Sequence, residues 1–319
     1  MDCYAAIDLG THNCRLLIAR PAASGFRVVG AFSRSVRLGE GLDSSGRLSE
    51  DAMDRAVAAL RVCTQRMESV PLVSSRAVAT EACRRAENGA DFRGRVADET
   101  GLDLEVISAE EEARLALAAC TPLFDPERPY ALVFDIGGGS SEVLWAKRGD
   151  DGRVEMRDVV SLPRGIVNLS ECFGGSFPPY AYDEVADSIA STLEPFERRN
   201  GIAERLEAGE AQMVGTSGTI TTVAAVKLGL TRYRRNRVDG RVLSRDDILA
   251  TCHWLREMKP AERATHPCIG YERSNLVLGG CAIMEGMMRR WAAPEIRVAD
   301  RGVRDGILLG LMSGVDARG

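Results

Sequence analysis

The sequence predicts an α/β protein of two similar lobes with a cleft between them, and three observations carry that expectation. Residues 5–19 read Ala-Ala-Ile-Asp8-Leu-Gly10-Thr11-His12-Asn13-Cys14-Arg15-Leu-Leu-Ile-Ala, and residues 132–146 read Leu-Val-Phe-Asp135-Ile-Gly137-Gly138-Gly139-Ser140-Ser141-Glu142-Val-Leu-Trp-Ala. Aligned without a gap at an offset of 127, Asp8 falls on Asp135 and Gly10 on Gly137. Each copy opens a run of three β-patterned segments, and helices and strands then alternate after each run. Such a doubled α/β order is that of a duplicated fold.

In the first half the strands fall near 4–8, 14–20 and 26–38, the third after a turn at Ala23-Ser24-Gly25. Helical spacing follows over 49–68, with Ser49 as N-cap and Ala52, Ala56, Ala59, Leu60 and Cys63 on one face. A strand near 72–79, a helix near 81–99, a strand near 103–107 and a helix at 109–120 complete the unit. The segment from Pro122 to Pro129 reads as a connection, placing the first domain at 1–122 and the second at 123–301. The second half repeats the start with strands near 130–135, 140–147 and 153–161. Helices are expected near 179–200, 217–228, 244–257 and 272–291, and strands near 211–215 and 295–299. A last helix near 302–319 is expected to pack back on the first domain.

Composition removes several function classes. The 319 residues are 45% hydrophobic and 27% charged, an ordinary soluble balance. No apolar run is long enough to span a membrane and the N-terminus lacks a secretory pattern, so a cytoplasmic protein is expected. Nine scattered cysteines without a C-x-x-C pair argue against a disulfide framework, and three histidines against a His-rich metal site. A net charge of −5 argues against a general nucleic-acid surface. Lysine occurs only at Lys147, Lys227 and Lys259, never after a G-x-x-x-x-G run, which excludes the lysine-bearing P-loop.

The chemistry-bearing residues cluster in a few motifs. In each repeat an aspartate ends a strand and a tight turn follows; the carboxylate can hold hydrated Mg²⁺ while the turn's N–H groups form a nest for phosphate oxygens. One copy alone also fits an ordinary β-hairpin, but repetition in register sets the pair apart. A third element, Gly215-Thr216-Ser217-Gly218-Thr219, leaves a strand and opens a helix, which suits either an anion or a plain hydroxyl N-cap. Ser108-Ala109-Glu110-Glu111-Glu112-Ala113-Arg114-Leu115 starts a helix. Glu110 and Glu111 read as complements to its dipole, whereas Glu112, nearest the domain connection, can activate a water. Thr80, Arg84 and Asn88 are spaced one helical turn apart, as a phosphate clasp or a solvated face. Five arginines lie between Arg232 and Arg241, fitting either a track for a long polyanion or a solvated loop.

Taken together and in this order, the motifs resemble the exopolyphosphatase/guanosine pentaphosphate phosphohydrolase (Ppx/GppA) family of the actin, Hsp70 and sugar-kinase superfamily. The carriers are Asp8-Leu-Gly10-Thr11, Val36-Arg37-Leu38-Gly39-Glu40-Gly41-Leu42, Ala79-Thr80-Glu81-Ala82-Cys83-Arg84, Glu111-Glu112-Ala113-Arg114-Leu115, Asp135-Ile-Gly137-Gly138-Gly139-Ser140 and Gly215-Thr216-Ser217-Gly218-Thr219. The resemblance implies two ribonuclease-H-like (actin-like ATPase) domains with an interdomain cleft, and Mg²⁺-dependent release of terminal phosphate from inorganic polyphosphate. Guanosine pentaphosphate hydrolysis, alarmone sensing without hydrolysis, and phosphotransfer are the alternatives. It implies Glu112 as the general base and Asp8, Asp135 and Glu142 as metal-binding carboxylates. Gly10, Thr11, Arg84, Gly137, Gly138, Gly139, Ser140, Gly215, Ser217, Gly218 and Thr219 are implied as phosphate contacts. The expected partner is polyphosphate or guanosine penta- or tetraphosphate, with no DNA or membrane; a homodimer is among the open assembly states. Thr11-His12-Asn13 departs from the family's Ser-Asn-Ser. The sequence stops near Gly319, where longer members continue into a helical domain related to HD-type hydrolases.

Overall fold

In the computed structural model, which describes residues 2–23 and 25–314, the first repeat forms β1 (Cys3–Leu9), β2 (Asn13–Pro21) and β3 (Phe26–Ser35). There follow α1 (Leu42–Ser45), α2 (Glu50–Glu68), β4 (Leu72–Ala79), α3 (Glu81–Arg85), α4 (Gly89–Thr100), β5 (Leu104–Val106) and α5 (Ala109–Cys120). The second repeat forms β6 (Tyr130–Ile136), β7 (Ser141–Arg148) and β8 (Val154–Leu162). After these come α6 (Ile166–Glu171), α7 (Tyr182–Thr192), α8 (Glu194–Asn200), α9 (Ile202–Glu207), β9 (Ala211–Thr216) and α10 (Ser217–Lys227). The chain continues through α11 (Arg235–Val238), β10 (Val242–Ser244), α12 (Arg245–Glu257), α13 (Pro260–Thr265), α14 (Tyr271–Ser274), α15 (Val277–Arg290), β11 (Glu295–Val298) and α16 (Val303–Ser313). Ser24 of the expected first turn, and residues 315–319 of the expected last helix, lie outside the described residues.

Two compact units result, one from the chain through Ala119 plus Gly302 onward, the other from Cys120–Arg301. Their sheets run β3-β2-β1-β4-β5 and β10-β11-β9-β6-β7-β8. In each, three antiparallel strands are extended by two parallel ones, the ribonuclease-H-like order found in actin-like proteins, and β10 adds an antiparallel edge to the second sheet. The repeat holds to the residue: β6 lies 127 positions after β1, and the register breaks between Ile18 and Ala19 in one unit and between Trp145 and Ala146 in the other. An extra residue at one place in a ladder bends the strand and raises its twist, so both sheets coil at the same point.

Burial explains the unbroken apolar runs. Ala5, Ile7 and Leu9 join the cluster under α2, while Ala6, Leu17, Ala19 and Val78 pack on the other face against Val303, Ile307 and Leu308 of α16. A strand covered on both faces has no need to alternate. Each of the three α16 side chains contributes about 1.5–3 kcal/mol on burial. Gly306 makes the approach possible, because a methyl group there would lie 2.1 Å from the Leu115 carbonyl oxygen. In the other unit, α15 is buried at every position from Val277 to Met288, all of them uncharged but Glu285, which pairs with Arg289. Among the described residues no helix is long and apolar enough to cross a membrane.

Several expected helices are broken. The one near 81–99 stops at Arg85 and restarts at Gly89, so Thr80, Arg84 and Asn88 do not share a helical face. Asn88 is instead a buried bracket: Oδ1 accepts from Leu48 N at 2.9 Å and Nδ2 donates to Leu48 O at 3.0 Å. Asn88→Ala leaves both Leu48 groups buried without a partner and is expected to cost about 1–3 kcal/mol. Denaturant melts check this, and an unchanged midpoint refutes it. The expected 179–200 and 272–291 helices are each divided, while α6, α9 and β10 were not anticipated.

Candidate active site

The β6–β7 loop has its carbonyls drawn to one side. Ile166 N donates to Gly137 O at 3.0 Å, Val167 N to Gly138 O at 2.8 Å, and Asn168 Nδ2 to Gly139 O at 2.8 Å. Asn168 is itself fixed, accepting from Gly165 N at 2.7 Å, and Ser141 Oγ donates to Arg164 O at 2.7 Å. Among the described residues no acceptor meets the N–H groups of Gly138, Gly139 and Ser140. Pinning the carbonyls on one side leaves those donors clustered on the other, the requirement for an anion nest.

The β1–β2 loop is built on the same plan. Gly10 N donates to Asn13 O at 2.9 Å, as Gly137 N does to Ser140 O at 2.9 Å, and Gly39 N donates to Thr11 O as Val167 N does to Gly138 O. Each loop is approached closely by a glycine: a methyl group on Gly39 would lie 2.4 Å from Thr11 Cγ2, and one on Gly165 would lie 2.3 Å from Gly138 C and O. His12, where the family pattern differs, pairs with Ser35 Oγ at 3.1 Å.

The two loops differ in the neighbour given to their aspartate. Asp8 stands opposite Arg15 on the paired strand, whereas Asp135 stands opposite Glu142. Burial raises the Asp8 pKa, against the opposing influence of Arg15 and Arg304. Glu142 is 2% exposed and accepts from Ser161 Oγ at 2.8 Å. Directly opposed residues of an antiparallel pair project on one face, where two carboxylates repel unless a cation joins them. This hard-oxygen pair fits Mg²⁺, which binds through one or two carboxylates and keeps several waters.

Glu112 and Arg84 form the other constellation. Ser108 caps α5, its Oγ accepting from Glu111 N at 3.1 Å, and the helix sends its consecutive acids in different directions. Glu110 pairs with Arg114, Glu111 with Arg76 on β4 at 3.0 Å, and Glu112 with Arg84 Nη1 at 2.8 Å. Arg84 Nη1 also donates to Ile107 O at 2.9 Å, and its Nε and Nη2 to Glu81 Oε2 at 3.2 and 2.9 Å. Burial disfavours its charge, but Glu112 and Glu81 outweigh that and raise its pKa. Two carboxylates thus hold the Arg84 guanidinium, the expected phosphate contact, and one of them is Glu112. Asp8 lies at the C-terminal end of β1, and Arg84 and Glu112 follow the C-terminal ends of its parallel neighbours β4 and β5, where open α/β sheets place ligands.

At the β9–α10 junction Ser217 adopts φ +73°, and its Oγ donates to Ile136 O at 2.6 Å, tying α10 to the strand that ends in the glycine loop. A non-glycine residue held there marks a site where surrounding contacts override local preference. Two of the expected phosphate contacts also stand at closely packed positions. Gly215 lies inside β9, where a methyl group would meet the Phe134 ring at 2.4 Å, and Thr219 is buried against Gly280 of α15. Gly218 stays open, with the Arg273 guanidinium 3.9 Å from where its methyl would be, and Arg273 Nη1 donates to Thr222 Oγ1 at 3.3 Å. Sequence reasoning missed Arg273, Gly165 and Asn168. The one available signal was Pro163-Arg164-Gly165 ahead of an apolar helix start.

The family model for the Ppx/GppA phosphatase family matches residues 17–314. The chain belongs to the Ppx/GppA phosphatase family. As a Ppx/GppA protein it is a phosphoanhydride hydrolase, and its fold is shared along its length. The crystal structure of the Aquifex aeolicus Ppx/GppA family member is 31% identical, covers 98% of both chains and superposes with a TM-score of 0.78. An exopolyphosphatase-like protein is 30% identical over 97% of each chain, with a TM-score of 0.84. An exopolyphosphatase from Cytophaga hutchinsonii, at 23% identity, shares the fold over 99% of each chain with a TM-score of 0.87.

Proposed function

We propose that this Ppx/GppA protein releases orthophosphate from the end of inorganic polyphosphate. The observation that carries the reading is the β6–β7 loop, whose Gly137, Gly138 and Gly139 carbonyls are held by the Gly165–Asn168 turn. Three N–H donors beside an acidic pair suit a terminal phosphate and ask for no base or sugar. The exopolyphosphatase names of the structural relatives support the same substrate.

In the proposed reaction Glu112, oriented by Arg84, takes a proton from a water as its oxygen attacks the terminal phosphorus. The bond from that phosphorus to the bridging oxygen breaks, and the electron pair leaves with the shortened chain. The N–H groups of Gly138, Gly139 and Ser140 hold the terminal phosphate oxygens while charge gathers on them, and Gly10 and Thr11 are further phosphate-binding residues in this reading. Positioned donors of this kind are the main source of rate in phosphoryl transfer. Mg²⁺ held by Asp135, with Glu142 behind it and Asp8 as a further carboxylate, would supply charge neutralisation.

The test is phosphate release from polyphosphate, guanosine pentaphosphate and ATP, side by side, with Mg²⁺ and then with chelator. Polyphosphate is expected to be the fastest of the three, and chelation to abolish release until Mg²⁺ is restored. Release from guanosine pentaphosphate alone would move the assignment to the nucleotide. Tight alarmone binding without turnover would make the protein a sensor, and undiminished release in chelator would remove the metal.

A further inference from the structure

We propose that Arg232, Arg234 and Arg237 form a docking strip for the distal phosphates of a long polyphosphate chain, an inference that rests on the polyphosphate reading above. The segment carrying them is anchored to the second unit. The Tyr233 hydroxyl donates to Asp300 Oδ2 at 2.5 Å, Asp239 pairs with Arg301 at 3.0 Å, Gly240 N donates to Val298 O at 2.8 Å, and Val238 is fully buried. It is anchored beside a candidate phosphate element, since the Tyr233 hydroxyl lies near Thr221 in the first turns of α10 and in the field of Arg273. Arg273 in turn lies against Gly218 and Thr222.

The charges are turned outward by the backbone. Arg234 is extended, at φ −138° and ψ 108°, so the chain neighbours of the inward Tyr233 point away from the body. Arg232, Arg234 and Arg237 are exposed, and among the described residues none has a carboxylate within 4.0 Å. The nearby acids are already engaged, Asp239 by Arg301 and Asp300 by Tyr233. In a protein of net charge −5, a row of arginines without local counter-charges is open to an external anion, and guanidinium forks match phosphate oxygens in pairs. The aromatic ring of the segment, Tyr233, is turned inward and does not offer a platform for stacked bases, so the strip suits a base-free polyanion over RNA.

The experiment compares wild type with the triple variant R232S/R234S/R237S, and with a triple lysine variant that keeps the charges. Equilibrium binding of polyphosphate of about 100 units is followed across salt concentrations, alongside kcat/KM on that polymer and on tripolyphosphate. For the serine variant, long-chain affinity is expected to fall at least about tenfold, and the slope of log Kd against log salt by about two, at ~0.7 per lost contact. The lysine variant retains the slope, and tripolyphosphate, which lacks the distal phosphates that the strip is proposed to hold, is turned over as before. Unchanged long-chain binding, an equal loss on tripolyphosphate, or wild-type binding of single-stranded RNA as tight as of polyphosphate each overturns the strip. Because binding is read without turnover, wild type that holds polyphosphate but releases no phosphate sinks the hydrolysis proposal and leaves the strip standing.

Discussion

Replacing Glu112 with Gln is expected to keep the fold and cut phosphate release by about two to four orders of magnitude, the range for loss of a positioned general base. The amide fills the same space and still accepts a hydrogen bond from Arg84 Nη1, which lies 2.8 Å from Glu112 Oε2. Arg84 keeps its two bonds to Glu81, so no buried cation is left alone, and the stability change should stay within about 1 kcal/mol. Substrate affinity should change little, because the carboxylate is needed for proton transfer more than for holding the phosphate. Steady-state release of phosphate at saturating polyphosphate, with a thermal melt on the same sample, separates the two effects. Near wild-type kcat would remove Glu112 from the reaction. A large fall in melting temperature would instead make the Glu112–Arg84 pair a structural one.

The substitution Gly165→Ala is expected to be nearly as damaging, although it adds only one methyl group, at a residue that is not itself an expected phosphate contact. The backbone at Gly165 is ordinary, with φ −117° and ψ 175°, so alanine meets no conformational strain there. The obstacle is space: the new carbon would lie 2.3 Å from Gly138 C and O and 2.5 Å from Gly139 N. Those atoms are backbone and cannot rotate away, so the glycine loop itself must move. A shift of about 1 Å in a positioning group costs about 10²-fold in rate, and overpacking adds about 1–3 kcal/mol of instability. The equivalent Gly39→Ala meets only the Thr11 methyl, so pairing it with Thr11→Ser should relieve the clash, and no comparable partner exists for Gly165. Kinetics of the three variants with matched melts check the contrast. A fully active Gly165→Ala enzyme would show that the loop tolerates displacement.

The doubled sheet was legible because the 127-residue offset reports strand, turn and strand together, and a slip of one residue would send every side chain to the wrong face. Even the position of the sheet bends is carried by it, at Ile18 and Trp145. Helix breaks were not legible. Between Arg85 and Gly89 the chain turns because the Asn88 side chain brackets Leu48, a partner forty residues away that local spacing cannot reveal. The direction of Arg84 was hidden for a similar reason, since its fork is occupied by Glu112 from a separate helix. The packing of Gly215 and Thr219 was not legible either, because a glycine or hydroxyl kept for close packing looks the same in sequence as one kept for phosphate. Only the positions of the Phe134 ring and of Gly280 reveal it.

The placement of α16 bears on how the protein is made. Its side chains Val303, Ile307 and Leu308 cover Ala6, Leu17 and Val78, residues synthesised before the whole of the second unit. On the ribosome, then, the first unit remains uncapped on one face while residues 120–301 are being translated. The later-born unit is contiguous and can finish first, reversing the usual vectorial order of nascent-chain folding.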